Sequence, residues 1–292
     1  MKGKPGQSKT LGAVYDVYIG GFVLFLLVPL IVTVVIAFND NEFPSLPWLG
    51  FTFDWFYGSD GERVGVFEDK RMLSAVAMSF RVALAVTAAS VLVGTATAFL
   101  FVREKFFGKN VLYYFALAPL VIPGIVIGIA LLVFGNQIVG LLEGLLGGQI
   151  ARPFARHFRP GYTLVVLGQF SFICTITMLM ISARLRKFRI ELEEAAMDLG
   201  ASRLGAIWSI TLPFLSPSLL SAGIVAFLLS FENFPTTLFL AGNDPTLPIY
   251  LYSKLRFSVT PEINAISVVL ICGSVILGFV AMVFRNRSRP VE

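Results

Sequence analysis

Residues 191–217 read ELEEAAMDLGASRLGAIWSITLPFLSP. Glu193, Glu194, Ala195, Ala196, Met197 and Leu199 favour a helix, and Gly200 stands where a helix is ended by a residue at ease with positive φ. Ser202 is placed to cap a second helix. Within it Leu204, Ile207, Trp208 and Thr211 recur at i, i+3, i+4 and i+7, which predicts one largely apolar face. Pro213 is expected to end that pattern, and Ser216 followed by Pro217 reads as the cap and first residue of a further helix. A short helix that carries small alanines beside carboxylates, with an amphipathic brace behind it, is shaped to dock into something else.

The stretches on either side of this segment are apolar for about the thickness of a bilayer. Of the 292 residues 56% are hydrophobic and 14% charged, against roughly 25% charged in soluble domains. The apolar residues come in blocks. Six candidate spans follow, at about 18–38, 74–102, 111–134, 161–183, 217–241 and 263–284. The expected class is an all-α polytopic membrane protein with six transmembrane helices: a tail over 1–17, a transmembrane domain over 18–284 and a tail over 285–292. The first span resembles a signal peptide in its flanking Lys2, Lys4 and Lys9. Its apolar stretch is too long, and no small-residue cleavage site follows before Asn39 and Asp40, so an uncleaved span is expected.

Lys and Arg near the span ends set the orientation. The N-terminal lysines, the loop REKFFGK at 103–109, the run RLRKFR at 184–189 and the tail with Arg285, Arg287 and Arg289 are separated by even numbers of spans. All four can face the cytoplasm together, with the acidic segment 39–73 outside. Arg152, Arg156 and Arg159 disagree, and four regions outvote one. Both termini, and the docking loop over 184–215, are therefore expected on the cytoplasmic side. The formal charge of +5 then belongs to cytoplasmic loops and not to a nucleic-acid surface.

Little in the spans promises covalent chemistry. Cys174 and Cys272 both lie in apolar segments and read as small fillers, and no metal-ligand spacing exists. His157, the lone histidine, sits in the basic stretch ARPFARHFRP and reads as a solvated loop residue. Span three contains Pro119, Pro123, Gly124 and Gly128, and span five contains Pro235. Prolines are tolerated in spans where neighbours satisfy the freed backbone groups. Gly124 and Gly128 form a small-xxx-small pair, read as a close packing contact. LLGGQ at 145–149 looks like a nucleotide-contacting signature, but no Gly-x4-Gly-Lys-Ser/Thr loop exists anywhere in the chain.

Glu-Ala-Ala, three residues, Gly, nine residues, then Ile-x-Leu-Pro resembles the signature of permeases in binding-protein-dependent ABC importers. Glu194, Ala195, Ala196, Gly200, Ile210, Leu212 and Pro213 meet it without departure. Further stretches resemble the spermidine/putrescine transporter permeases: FNDNEFPSLPWLGFTFDWF at 38–56, FFGK at 106–109 and LPIYLYSKLRFSVTPEINAISVVL at 247–270. The resemblance implies a type I importer permease fold, with 191–217 holding a coupling helix that sits in a groove of an ATPase subunit. It also implies two ATPase subunits that bind ATP and Mg, a second and different permease, and an extracytoplasmic binding protein in a bacterial inner membrane. The chain itself is then expected to be non-catalytic and to carry no cofactor and no metal.

A pathway through lipid needs polar groups that face the bundle interior. Glu232, in SFENF beside Asn233, is acidic where the resembled polyamine permeases carry acidic residues, so the resemblance makes it a candidate for attracting a cationic substrate. Arg81, seven or eight residues into span two, is expected to snorkel to the interface, to pair with a carboxylate such as Glu232, or to contact substrate. Phe231 and Phe234 flank Glu232 and Asn233 and offer cation–π faces to an ammonium. Gly124 stands where those permeases carry an acidic residue, and Arg81 adds positive charge. Both departures admit amino-acid derivatives, opines or phosphonates beside polyamines. The rival classes are an ion-coupled secondary transporter, which favours inverted repeats and midplane carboxylates, and a membrane enzyme, which needs a cluster of reactive side chains at one depth. The sequence shows neither pattern.

Overall fold

The computed structural model describes residues 9–58, 63–257 and 260–287. The basic tails with Lys2, Lys4 and Arg289 lie outside the described residues. The helices, in chain order, are α1 (Lys9–Ile36), α2 (Asp54–Tyr57), α3 (Lys70–Arg103), α4 (Lys109–Val121), α5 (Gly124–Leu146), α6 (Gly148–Ala155), α7 (Tyr162–Leu185), α8 (Glu191–Asp198), α9 (Arg203–Ala206), α10 (Leu212–Phe231), α11 (Leu247–Phe257) and α12 (Glu262–Arg287). Among the described residues five helical stretches are long and apolar enough to cross a membrane: Val14–Ile36, Lys70–Arg103, Gly124–Leu146, Tyr162–Leu185 and Arg203–Phe231. The 26-residue α12 occupies the place of the sixth predicted span.

Two of the predicted spans differ in the structure. Span three, read as one helix over 111–134, is broken into α4 and α5. Pro123 has no N–H to donate and disfavours helical backbone in the residue before it. Ile122 accordingly turns extended, at φ −78 and ψ 128, and the helix restarts at Gly124. Span five begins earlier and ends sooner than 217–241. Arg203–Phe231 runs as one 29-residue helix, roughly 43 Å long at 1.5 Å per residue, and Pro235 falls in the turns beyond it.

Pro213 therefore does not end the second helix of the docking segment. Residues Ile207–Thr211 wind as a π-helical turn, in which the Leu212 N–H bonds to the Ile207 carbonyl, and Pro213 enters α10 just beyond it. The wider turn absorbs the missing donor and the ring that would otherwise break the helix. Pro217 is likewise inside α10, and the Pro213 carbonyl four residues before it accepts from the Ser216 hydroxyl at 2.9 Å.

The chain divides into two compact units, residues 1–70 with 254–292 and residues 71–253. The second unit is built on α3, α7 and α10. Met78, Val82 and Val86 of α3 pack with Leu164, Val165 and Ile173 of α7, Ala226 of α10, and Leu240, Ala241 and Ile249. At the other end Ala98 and Phe101 meet Met178, Ile181, Leu185, Leu215 and Ala222. Gly124 and Gly128 admit a close approach of α5 to the segment at Thr236. A Cβ on Gly128 would lie 2.6 Å from the Thr236 carbonyl oxygen, and one on Gly124 would lie 2.8 Å from the Thr236 hydroxyl.

In the first unit α1 packs on α12. The segment after α1 folds around Asn39, whose amide donates to the Ser45 and Pro47 carbonyls at 3.0 and 3.2 Å while its Oδ1 accepts from the Leu49 N–H at 2.9 Å. The acidic residues of 39–73 are not all free. Asp40 pairs with Arg63, and Lys254 holds Asp69 at 3.0 Å together with Glu262.

Candidate functional site

The first helix of 191–217 forms as its residues dictate. α8 spans Glu191–Asp198 and carries Glu191, Glu193 and Glu194 in its first turn, where the unsatisfied N–H groups favour negative charge. Gly200 takes φ +92. Its N–H bonds to the Met197 carbonyl at 2.9 Å and the Ala201 N–H reaches back to Ala196 at 3.0 Å, the paired closure of a Schellman cap. The Ser202 hydroxyl then accepts from the Gly205 N–H at 3.1 Å and caps α9.

The surface this produces is open. Glu194, Ala195, Met197 and Gly200 are exposed, and Leu199 is 90% exposed. The predicted apolar face of the brace is split by the structure: Thr211 is buried and Ile207 half-buried, whereas Leu204 and Trp208 are 70% and 71% exposed. The buried line runs instead through Ala206, Thr211 and Leu215. Leu204 and Trp208, like Leu199, are thus left uncovered by the described residues. Of the remaining signature residues, Ile210 and Leu212 are half-buried and Pro213 is exposed at the root of α10.

Beneath α8 lies a polar contact that the signature does not announce. Glu193, 4% exposed, pairs with Arg103 of α3 at 2.8 Å and accepts a hydrogen bond from the Thr211 hydroxyl. The Arg103 guanidinium lies over the Phe99 and Phe188 rings, 4.8 and 5.4 Å from their centroids. The sequence offers only a weak sign of this pair, a glutamate one position before the motif.

The candidate pathway residues gather at the other end of α10. Glu232 caps the helix, its N–H bonded to the Leu228 carbonyl, and its side chain is exposed. Phe231 meets Phe80 of α3 edge-on at 5.1 Å and stacks on Phe227. This places Arg81 and Glu232 one residue beyond a shared aromatic contact. Of the alternatives for Arg81, pairing with Glu232 is not made: Arg81 is exposed and forms no ion pair with it. Phe234 packs on Tyr252 at 4.9 Å and is not an open ring.

Asn233 is held by a chain of buried groups. Ser230 donates to the Gln169 carbonyl oxygen, the Gln169 amide donates to the Thr237 hydroxyl at 2.8 Å, and that hydroxyl donates to Asn233 Oδ1 at 3.0 Å. Gln169, fully buried in α7, was legible as an amide within an apolar span, a costly position that asks for partners. Its replacement by Leu leaves the Ser230 and Thr237 hydroxyls without that partner, at about 1–3 kcal/mol for an unsatisfied buried group. Gln169→Leu is expected to unfold at lower temperature in detergent than the parent, and Gln169→Glu to lie between them.

Among the described residues no three His, Cys, Asp or Glu side chains gather as a metal site. Cys174 and Cys272 are free, and His157 is exposed with Nδ1 3.3 Å from the Thr163 hydroxyl.

The chain is a helical protein with several helices apolar enough to cross a membrane and with α8 left largely exposed. The chain belongs to the family of binding-protein-dependent transport system inner membrane components, which it matches over residues 90–290. It is 33% identical over 266 residues to the putrescine transport system permease protein PotI of Escherichia coli strain K12, covering 90% of this chain and 88% of that one. It is 27% identical over 263 residues to the spermidine/putrescine transport system permease protein PotC of the same strain, covering 88% and 90%. A solved bacterial ABC transporter involved in the import of the acidic polysaccharide alginate superposes with a TM-score of 0.65 at 15% identity, over 98% of this chain and all of that one. That likeness shows the fold, the type I importer permease fold. The chain is accordingly a permease subunit of an ABC importer, of the non-catalytic kind to which these relatives belong.

Proposed function

We propose that this chain lines one half of a polyamine pathway, for putrescine or spermidine, in an ATP-driven importer. The observation that carries the substrate is the kinship with PotI along nine-tenths of the chain. Glu232 supports it, because an exposed carboxylate at the end of α10, beside Phe231, suits an ammonium group. Two ATPase subunits bind ATP and Mg, and one of them receives α8. A second, different permease completes the pathway, and an extracytoplasmic binding protein delivers the substrate. Both termini and α8 face the cytoplasm, as the Lys and Arg distribution favours. The chain itself holds no cofactor, and its part in the cycle is to switch between inward- and outward-open states.

The exposed Arg81 favours a second reading, a substrate that also bears a carboxylate, such as an amino-acid derivative. Uptake of labelled putrescine into vesicles containing the complete transporter separates the two. Polyamine transport predicts saturable uptake blocked by spermidine and indifferent to amino acids. Glu232→Gln is expected to lower that uptake about tenfold, the worth of roughly 1.4 kcal/mol, with the subunits still assembled. Parental uptake in that variant removes Glu232 from the pathway.

A further inference from the structure

The eight residues of α8 bury one side chain, and it is Glu193. Leu192 and Met197, the helix's own large apolar residues, are exposed. Hydrophobic burial therefore does little to hold α8 to its own chain, and the buried attachment is ionic. One carboxylate oxygen meets Arg103 at the end of α3, and the other accepts from Thr211. Thr211 closes the π-helical turn from which α10 departs, and such turns inside longer helices are frequent at functional sites.

We propose that Glu193 is the residue that transmits displacement of α8 to the transmembrane helices, by fastening it to α3 through Arg103 and to the root of α10 through Thr211. The inference rests on the reading of α8 as the element an ATPase subunit grips. The exposed signature residues Glu194, Ala195 and Gly200 face outward, so they meet the partner and leave the inward connection to Glu193. A buried ion pair suits this task. Loss of one partner strands a charge in a site with little water, so the three elements move together or not at all. Phe99 and Phe188 hold the guanidinium from its faces and keep its aim. Glu193, Arg103 and Thr211 are positioning residues in this scheme and touch no substrate.

The test uses the complete transporter, purified through a tag on the ATPase subunit and placed in vesicles with the binding protein and labelled putrescine. ATP hydrolysed and putrescine imported are measured together for Glu193→Gln, Arg103→Lys and Thr211→Val. With transmission weakened, the complex is recovered, hydrolysis continues, and putrescine imported per ATP falls on the order of fivefold or more, the usual lower range of coupling between sites. Arg103→Lys, which keeps the charge, retains more than Glu193→Gln. A merely structural role lowers hydrolysis and import in proportion to recovered complex, and that result, or an unchanged ratio, overturns the inference. If Glu193→Gln fails to assemble, Thr211→Val, nearly isosteric and short only of the hydroxyl, decides. A parent chain that recovers no ATPase subunit overturns the functional reading and this inference with it. A parent complex that hydrolyses ATP but ignores putrescine overturns only the substrate. Stimulation of hydrolysis by the binding protein then takes the place of uptake: its loss in the variants supports the inference, and parental stimulation overturns it.

Discussion

Gly200→Asp is expected to leave this chain in the membrane but unable to recover an ATPase subunit, with uptake at background. Two costs coincide at this position. Gly200 adopts φ +92 with open space where a Cβ would stand, so the first cost is conformational, about 1–2 kcal/mol for an L-residue in left-handed backbone. That strain loosens the cap formed by the Gly200 and Ala201 N–H groups and shifts the end of α8. The second cost is the carboxylate itself, placed beside the exposed Leu199, where a close partner would have to desolvate it. Gly200→Asn isolates the charge, since Asn and Asp are both among the side chains that enter the left-handed region and only Asp is charged. It is expected to keep more complex than Gly200→Asp, while Glu194→Lys, which reverses an exposed charge on α8 without touching the cap, is expected to lose it. Affinity recovery on a tagged ATPase subunit reads all three, and full recovery by Gly200→Asp would remove α8 as the docking element.

Gly128→Val is expected to abolish folded protein, and here the cause is steric. The 2.6 Å between a Cβ at this position and the Thr236 carbonyl oxygen is a backbone contact, which no rotamer change relieves. Overpacking of this kind costs about 1–3 kcal/mol, occasionally more, and Val adds two methyl groups beyond the first carbon. The strain falls on the segment that carries Asn233 and Thr237, so a partly folded product would also misplace Glu232. Gly140, in the same helix with nothing within 4 Å of its Cβ position, is the comparison. Gly140→Ala is expected to be neutral or to stabilise by up to about 1 kcal/mol, because a helix interior favours Ala over Gly. Size-exclusion of detergent-solubilised protein, followed by heating, distinguishes the two variants.

The sequence carried most of the architecture because membrane crossing is a local property. Each span must bring its own apolar length and its own hydrogen bonds, and both are written in consecutive residues. The ends of α8 were legible for the same reason. Gly200 and Ser202 act on backbone groups one to five residues away, so the cap and the break follow from neighbours in the chain. Pro123 also signalled a break, but Pro119, Pro213 and Pro217 carry the same local signal and sit inside helices. Nothing near those prolines in sequence separates them. The outcome depends on whether a π-helical turn or a hydroxyl such as that of Ser216 takes up the slack.

Residues 191–217 show where sequence stops and tertiary structure takes over. By itself the sequence determined that a helix rich in carboxylates and alanines ends at Gly200 and that a second helix, capped by Ser202, follows. Only the tertiary structure decided what that helix is fastened to. Thr211 was counted with Leu204 and Trp208 on one apolar face, yet it turns inward to a glutamate 18 residues away, and Glu193 meets an arginine 90 residues away. Arg81 and Glu232, for which pairing is one of the alternatives, form no ion pair. A buried charge chooses its partner by where other elements bring one within about 4 Å, since the desolvation cost is offset only at contact. Side-chain spacing along one helix fixes which residues share a face, whereas the partner across the gap is set by the packing of α3, α7 and α10.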